Sequence, residues 1–217
     1  MKYGLVGASG KLGKEVINVF TEQDNELVFS FDIQGDWKQS DPEILIDCSL
    51  PEAFEKMIAF ASSFNIPVIV ATTGLTDDQI KQLKKYSYNK PVIQSFNFST
   101  GIQILLELTK IANEKLSDWD VEISETHHRF KKDIPSGTAK MIQNVFADRE
   151  VSTSSHRLGN VPGDHTVSFA GLGEVLSIQH RALSRRTFAE GILKSAEFAL
   201  NQEKGFYSFT DVIFNKR

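Results

Sequence analysis

The chain opens on a strand that runs straight into a glycine turn. Tyr3 to Val6 is a short apolar run, Gly7-Ala8-Ser9-Gly10-Lys11-Leu12-Gly13 follows, and Val16, Ile17 and Phe20 then recur at helical spacing. An apolar run without polar alternation reads as a strand buried on both faces, the kind found in parallel sheets. A strand, a G-x-x-G-x-x-G turn and a helix, in that order, leave few folds open. The first glycine permits the tight turn, the second lets a pyrophosphate approach the backbone, and the third allows close helix–strand packing. Three glycines alone are a weak signal, since turn glycines beside a surface aspartate would look the same. Here a second strand, Leu27 to Phe31, ends in Asp32, where a carboxylate can take the hydroxyls of a ribose.

The same alternation continues for about a hundred residues. Ile44 to Ile46 reads as a strand ending in Asp47-Cys48-Ser49, and Phe54, Met57, Ile58 and Ala61 mark one face of a helix. Val68 to Val70 is a strand followed by Ala71-Thr72-Thr73-Gly74. Thr76 and Gln79 then form a capping box that opens another helix. Pro91 to Ile93 ends in Ser95-Phe96-Asn97-Phe98-Ser99. This pattern predicts an α/β fold with a doubly wound, Rossmann-like parallel sheet, its ligand beyond the carboxyl ends of the strands. Only eleven residues separate Asp32 from Ile44, so a helix in that link is expected to be reduced or lost.

After residue 99 the pattern changes. A long helix from Ile102 to about Leu116 leads to an alternating strand at Val121, Ile123 and Glu125. Ser136 to Phe146 looks helical, and Thr166 to Ala170 and Val175 to His180 look like successive strands. Strands without crossover helices predict a smaller α+β domain with a mixed sheet open on one face. A last helix through Phe188, Ile192, Ala196 and Ala199 is expected to return to the first domain. The expected division is 1–98 with 186–217 for dinucleotide binding, and 99–185 for substrate binding and oligomerisation.

Charge narrows the partners. The 217 residues carry a net charge of −4 with a pI near 5.8, which argues against a nucleic-acid partner. A single cysteine, Cys48, excludes an internal disulfide or a cysteine-based metal site. No stretch approaches the roughly 20 apolar residues of a membrane span, and the N-terminal apolar run is short for a secretory signal. The simplest placement is cytoplasmic.

Against that acidic background stands Glu125-Thr126-His127-His128-Arg129-Phe130-Lys131-Lys132-Asp133-Ile134-Pro135-Ser136-Gly137-Thr138. Two imidazoles beside three permanent cations suit a site that binds a small dianion and moves a proton. Ser136, Gly137 and Thr138 add hydroxyls and backbone N–H groups at a helix start. Lys131 is the better lysine candidate, three residues past His128. No metal is expected, because adjacent histidines on a strand point to opposite faces and His-x-x-x-His spacing is missing. His156, His165 and His180 read as structural or peripheral. For the cofactor, Asp32 followed by Ile33 and Gln34 repels a 2′-phosphate and offers no arginine to hold one, which favours NADH over NADPH. Lys11 and Lys38 are the cations that could reach such a phosphate.

The run from Glu125 to Thr138 resembles the signature of the 4-hydroxy-tetrahydrodipicolinate reductase (dihydrodipicolinate reductase) family. The glycine loop, Ala71-Thr72-Thr73-Gly74, Asn97-Phe98-Ser99 with Gly101, Pro162-Gly163-Asp164-His165-Thr166, and Ser184-Arg185 with Phe188-Ala189 and Gly191 resemble further family motifs in order. The resemblance implies reduction of a cyclic imine dicarboxylate to tetrahydrodipicolinate with NADH or NADPH, in lysine and diaminopimelate biosynthesis. It implies His127 as acid/base residue and Lys131 as second proton donor or electrostatic partner. His128, Lys131, Ser136, Gly137 and Thr138 would hold the carboxylates. Gly7, Ala8, Ser9, Gly10, Lys11, Leu12, Asp32, Ala71, Thr72, Thr73, Ser95, Phe96, Asn97 and Phe98 would line the cofactor. It also implies a homotetramer assembled through the second domain's sheet. The chain departs from the family at Ala71, where glycine is usual, and at Cys48-Ser49-Leu50. Another two-domain NAD(P)-dependent dehydrogenase, or a non-catalytic NADH-sensing module, would share the first hundred residues but not the paired histidines.

Overall fold

The computed structural model describes residues 1–32, 35–147 and 149–215. Ile33 and Gln34, which entered the cofactor argument above, lie outside the described residues. In chain order the elements are β1 (Lys2–Val6), α1 (Lys11–Glu22), β2 (Glu26–Asp32), β3 (Gly35–Lys38), β4 (Ile44–Asp47), α2 (Phe54–Phe64), β5 (Val68–Val70), α3 (Asp77–Tyr86) and β6 (Pro91–Gln94). Then come α4 (Thr100–Lys115), β7 (Asp120–His127), α5 (Gly137–Gln143), β8 (Ser152–Arg157), β9 (Asp164–Ala170) and β10 (Val175–Arg181). The chain finishes with α6 (Arg186–Leu200), β11 (Gly205–Tyr207) and α7 (Phe209–Phe214). These divide into two compact units, Met1–Phe98 with Arg185–Arg217, and Ser99–Ser184.

The first unit is built on a seven-stranded sheet in the order β11-β6-β5-β4-β1-β2-β3. Its strands pair in parallel except β3, which runs antiparallel to β2. Leu5, Ile46 and Ile69 are fully buried, each contributing roughly 1.5–3 kcal/mol by leaving water. On one face Val16, Val19 and Phe20 of α1 pack with Ala189, Ile192, Ala196 and Ala199 of α6. On the other, Phe54, Met57 and Ala61 of α2 pack with Leu83 of α3. The doubly wound architecture expected from the alternation is present. Among the described residues of the short link after Asp32 there is no helix, and β3 extends the sheet there. At the opposite edge β11 adds a strand that periodicity could not show, because three residues establish no period.

The second unit is a four-stranded mixed sheet, β10-β9-β7-β8, with β7 and β8 parallel and the other pairs antiparallel. Ile102, Leu105 and Leu106 of α4 cover one face, joined by Ile142 of α5 and by Phe146, over Ile123, Val167 and Phe169. Alternation puts Ser124, Thr126, Thr166 and Ser168 on the other face, where they are half-exposed. That is the open-faced sheet anticipated above. The helix expected from Ser136 to Phe146 is shorter: α5 stops at Gln143 and a 3-10 turn covers Asn144–Phe146.

Candidate active site

In the second unit, β7 carries Ile123, Glu125 and His127 inward at every second residue. Glu125 is wholly removed from solvent, and a buried carboxylate must be paired. Four groups meet it, the Ser155 hydroxyl from the facing position on β8 among them. Arg157, opposite His127 in the β7–β8 register, donates from Nη2 to Oε1 at 3.0 Å and from Nη1 to Oε2 at 3.2 Å. The Ser136 N–H donates to Oε1 at 3.3 Å. His127 Nδ1 is hydrogen-bonded to Oε2. A carboxylate only accepts, so the bond places the His127 proton on Nδ1 and turns Nε2 toward Gly163, where an added Cβ would lie 3.0 Å from it.

Charge follows the same geometry. Burial pushes the Glu125 carboxyl up, but Arg157, Ser155 and His127 outweigh it and hold the group below the usual carboxylate range. His127 is lowered first by burial; Glu125 partly restores it, while Lys131 and Arg157 lower it further. The ring of His165 stands edge-on to His127 at 5.1 Å, and its Nε2 lies 3.3 Å from Ser136 Oγ. His165, read from sequence as structural or peripheral, is buried beside His127 and Ser136 and so is not peripheral. Lys131 projects from the loop after β7 and pairs with Asp133 at 2.8 Å. Ser136 caps α5 by accepting from Ala139 N–H at 3.1 Å, and Ser136 and Thr138 are both buried.

Glu125, His127 and His165 could also face a metal ion, since their ligand atoms lie within 4.8 Å of one another. The carboxylate is already held bidentate by a guanidinium, which repels a cation from that position. The trio fits a fixed imidazole better than a metal centre.

In the first unit, the loop after β1 is a cradle. Gly7 has φ +81° and its N–H donates to Phe31 O at 3.1 Å; Gly10 N–H donates back to Gly7 O at 3.0 Å. A Cβ on Gly13 would collide with Gly7 O, so only glycine lets α1 start this close to the turn. Asp32 is tied to the loop, its Oδ2 accepting from Ser9 N–H at 2.9 Å. Gly7, Ser9, Gly10, Asp32, Cys48, Ser49, Leu50 and Lys56 line a cavity of about 600 Å³. A glycine turn at a helix start beside a carboxylate, both on one cavity, has the form a dinucleotide site needs.

Other expected residues are placed less directly. Thr72 is buried and its hydroxyl oxygen accepts from Ser49 N–H at 3.0 Å, while Thr73 is exposed. Phe98 packs on Phe209 in the core, so only its backbone can line a ligand; Ser95 and Asn97 are buried and Phe96 is half-exposed. Leu12 packs against the core, and Lys11 is exposed at the start of α1. Lys38 pairs with Asp41 and covers the Phe64 ring, outside the cavity lining. Lys56 is the lysine in the lining. It pairs with Asp36 at 2.6 Å and lies over Phe31. Sequence reasoning missed Lys56 and Arg157, since neither belongs to a local motif, and it gave His165 no site role although that residue stands in the motif at 162–166.

Comparison with known proteins agrees with this geometry. The family model for dihydrodipicolinate reductase, N-terminus, matches residues 1–98, and that for dihydrodipicolinate reductase, C-terminus, matches residues 101–213. The chain is 45% identical over 213 residues to the 4-hydroxy-tetrahydrodipicolinate reductase of Thermosipho africanus, covering 98% of each. It is 33% identical to the enzyme of that name from Caldanaerobacter subterraneus subsp. tengcongensis, covering 95% of this chain and 96% of the relative. Among solved structures, dipicolinate-bound dihydrodipicolinate reductase from Paenisporosarcina sp. TG-14 shares the fold, with a TM-score of 0.79, 20% identity, and coverage of 97% and 98%. The chain belongs to the dihydrodipicolinate reductase family, NAD(P)H-dependent oxidoreductases that carry out a reduction step of lysine and diaminopimelate biosynthesis.

Proposed function

We propose that this chain reduces a dihydrodipicolinate-type cyclic imine dicarboxylate, with NADH as the favoured cofactor and His127 as the proton source. The observation that carries the reading is the His127 imidazole fixed through Nδ1 on a buried carboxylate, with Lys131 nearby on the following loop. The bound cofactor supplies a hydride. Hydride addition to a conjugated imine leaves electron density that a proton must neutralise, and the His127 imidazolium, its Nδ1 proton held by Glu125, delivers it from Nε2 and is left as the neutral Nδ1–H ring. Lys131 stabilises that density as it develops, or gives a second proton. His128, Lys131, Ser136, Gly137 and Thr138 hold the two carboxylates; a substrate carboxylate would take the place of Asp133 on the Lys131 ammonium.

Gly7 to Leu12, Asp32, Ala71 to Thr73 and Ser95 to Phe98 hold the cofactor, with Gly10 and Asp32 as principal contacts. NADH is favoured because Asp32 repels a 2′-phosphate and Lys56, the cation in the cavity wall, is paired with Asp36. The active form is a homotetramer in a reducing, cytoplasmic setting, in keeping with a lone cysteine.

His127→Gln tests the reading. Turnover should fall by about 10²-fold or more, with little change in NADH affinity. Wild-type turnover in that variant would remove His127 from the chemistry.

A further inference from the structure

We infer that the Glu125–Arg157 ion pair is the positioning device of the site, setting both the tautomer of His127 and the path of the Lys131 loop. The inference rests on the proposed role of His127 and deepens it. Neither Glu125 nor Arg157 needs to touch substrate.

Glu125 serves two partners with one group. Oε2 fixes His127 Nδ1, and both oxygens are also held by Arg157, with Ser136 N–H adding to Oε1. The carboxylate therefore cannot rotate away from the imidazole without breaking two charged hydrogen bonds in a buried place. Arg157 reaches further. Its Nε donates to Lys131 O at 3.2 Å and its Nη2 to Asp133 O at 2.6 Å, while Nη1 donates to His156 O at 2.7 Å. One guanidinium thus joins the end of β7, the end of β8 and the loop that presents Lys131. A planar five-donor fork can do this and an ammonium cannot.

The consequence for His127 is electrostatic as well as geometric. Four groups face it: Glu125 on its own strand, Arg157 on β8, Lys131 on the loop, and His165 on β9. Behind His165 lies its cross-strand partner His180, which is influenced by Asp164. Among these, Glu125 favours the imidazolium, and Arg157 and Lys131 oppose it. Glutamine at 125 would face conflicting demands. Arg157 and Ser136 need acceptors, so the amide NH2 would be turned toward His127 Nδ1. That would force the proton onto Nε2 in the neutral ring and remove the charge that supports the imidazolium.

The experiment is the pH profile of the single-turnover rate, at saturating reduced cofactor and substrate, for the wild type, E125Q, R157M and H127Q. A general acid gives a rate that falls as pH rises through its pKa. In E125Q the falling limb should move to lower pH by about one unit or more, and the plateau should drop about 10- to 100-fold. In R157M the limb should move the opposite way, because the opposing cation is gone. Melting temperature and NADH affinity establish that each variant is folded. If E125Q or R157M fails to fold, E125D decides in its place, since it keeps the charge but draws the carboxylate back. A lowered limb there supports the pair, and a wild-type profile overturns it. Folded E125Q and R157M that both lose rate with the limb at its wild-type pH would show a merely structural pair and overturn the inference. A wild-type rate in H127Q would instead overturn the assignment of His127 on which it rests.

Discussion

Burial pushes the His165 imidazole down to about 3, with His127 next in effect, so the ring stays neutral in the folded protein. Its ordinary value is 6.5, and the unfolded chain takes up that proton first as pH falls. The stability this group contributes is fully present above pH 6.5 and is lost as pH falls from 6.5 toward 3, at about 1.4 kcal/mol per pH unit. Replacing His165 with Gln should flatten the acid side of the stability curve by about that slope between pH 6 and 4. Urea denaturation of both proteins across that range measures it, and parallel curves would mean His165 is protonated in the fold. At the cofactor end, Asp32→Ser removes the carboxylate proposed to repel a 2′-phosphate. The ratio of kcat/KM for NADPH over NADH should rise by about tenfold, the equivalent of roughly 1.4 kcal/mol. Steady-state rates with both cofactors test this, and an unchanged ratio would place cofactor choice elsewhere in the cavity.

Helix α6 rests on the segment that follows β6 because position 191 has no side chain. A Cβ on Gly191 would meet the Phe98 carbonyl, with the carbonyl carbon at 2.8 Å and the Phe209 ring at 2.9 Å. Two effects compete in Gly191→Ala. Helix propensity favours alanine by about 1 kcal/mol, while overpacking costs about 1–3 kcal/mol. The obstacle here is backbone that follows a buried strand, so it cannot turn aside as a side chain would. The variant should be destabilised by about 2 kcal/mol, read from the urea midpoint; a more stable protein would show that the helix can shift. The same elements show what sequence made legible. The β1 strand, the glycine turn and α1 announce themselves because each needs a particular residue type at a particular place. The Glu125 to Thr138 run does so because its cations crowd one loop. β8 was not legible. Ser-Thr-Ser-Ser-His-Arg has no apolar alternation, since of its inward positions Ser155 and Arg157 face a buried carboxylate and Thr153 accepts from the Gln143 amide. Nor did anything in the sequence mark Lys56, a cation on a helix surface until the fold turns that surface into a cavity wall.

At the scale of the whole molecule, one face of the second unit's sheet carries half-exposed side chains, and the proposed homotetramer would use it. Ser124, Thr126, Thr166 and Ser168 lie there, with Ser177 on the neighbouring strand, and Ser168 and Ser177 hydrogen-bond across the β9–β10 pair at 3.0 Å. These side chains are small, so two such faces can approach at roughly the 10 Å of packed sheets. They are also polar, so the face tolerates water before assembly and can hydrogen-bond after it. A twofold contact between like faces, repeated through a second axis, gives a tetramer of D2 symmetry. The mass in solution, measured by light scattering, should be near four times 24.3 kDa. Ser168→Arg puts a long cation at the middle of the face, opposite its own symmetry mate. It should lower the mass to a dimer or monomer while NADH still binds the first unit with wild-type affinity. Should the variant keep the wild-type mass, the copies must join through other surfaces, and the small polar residues of β7 and β9 would need a different explanation.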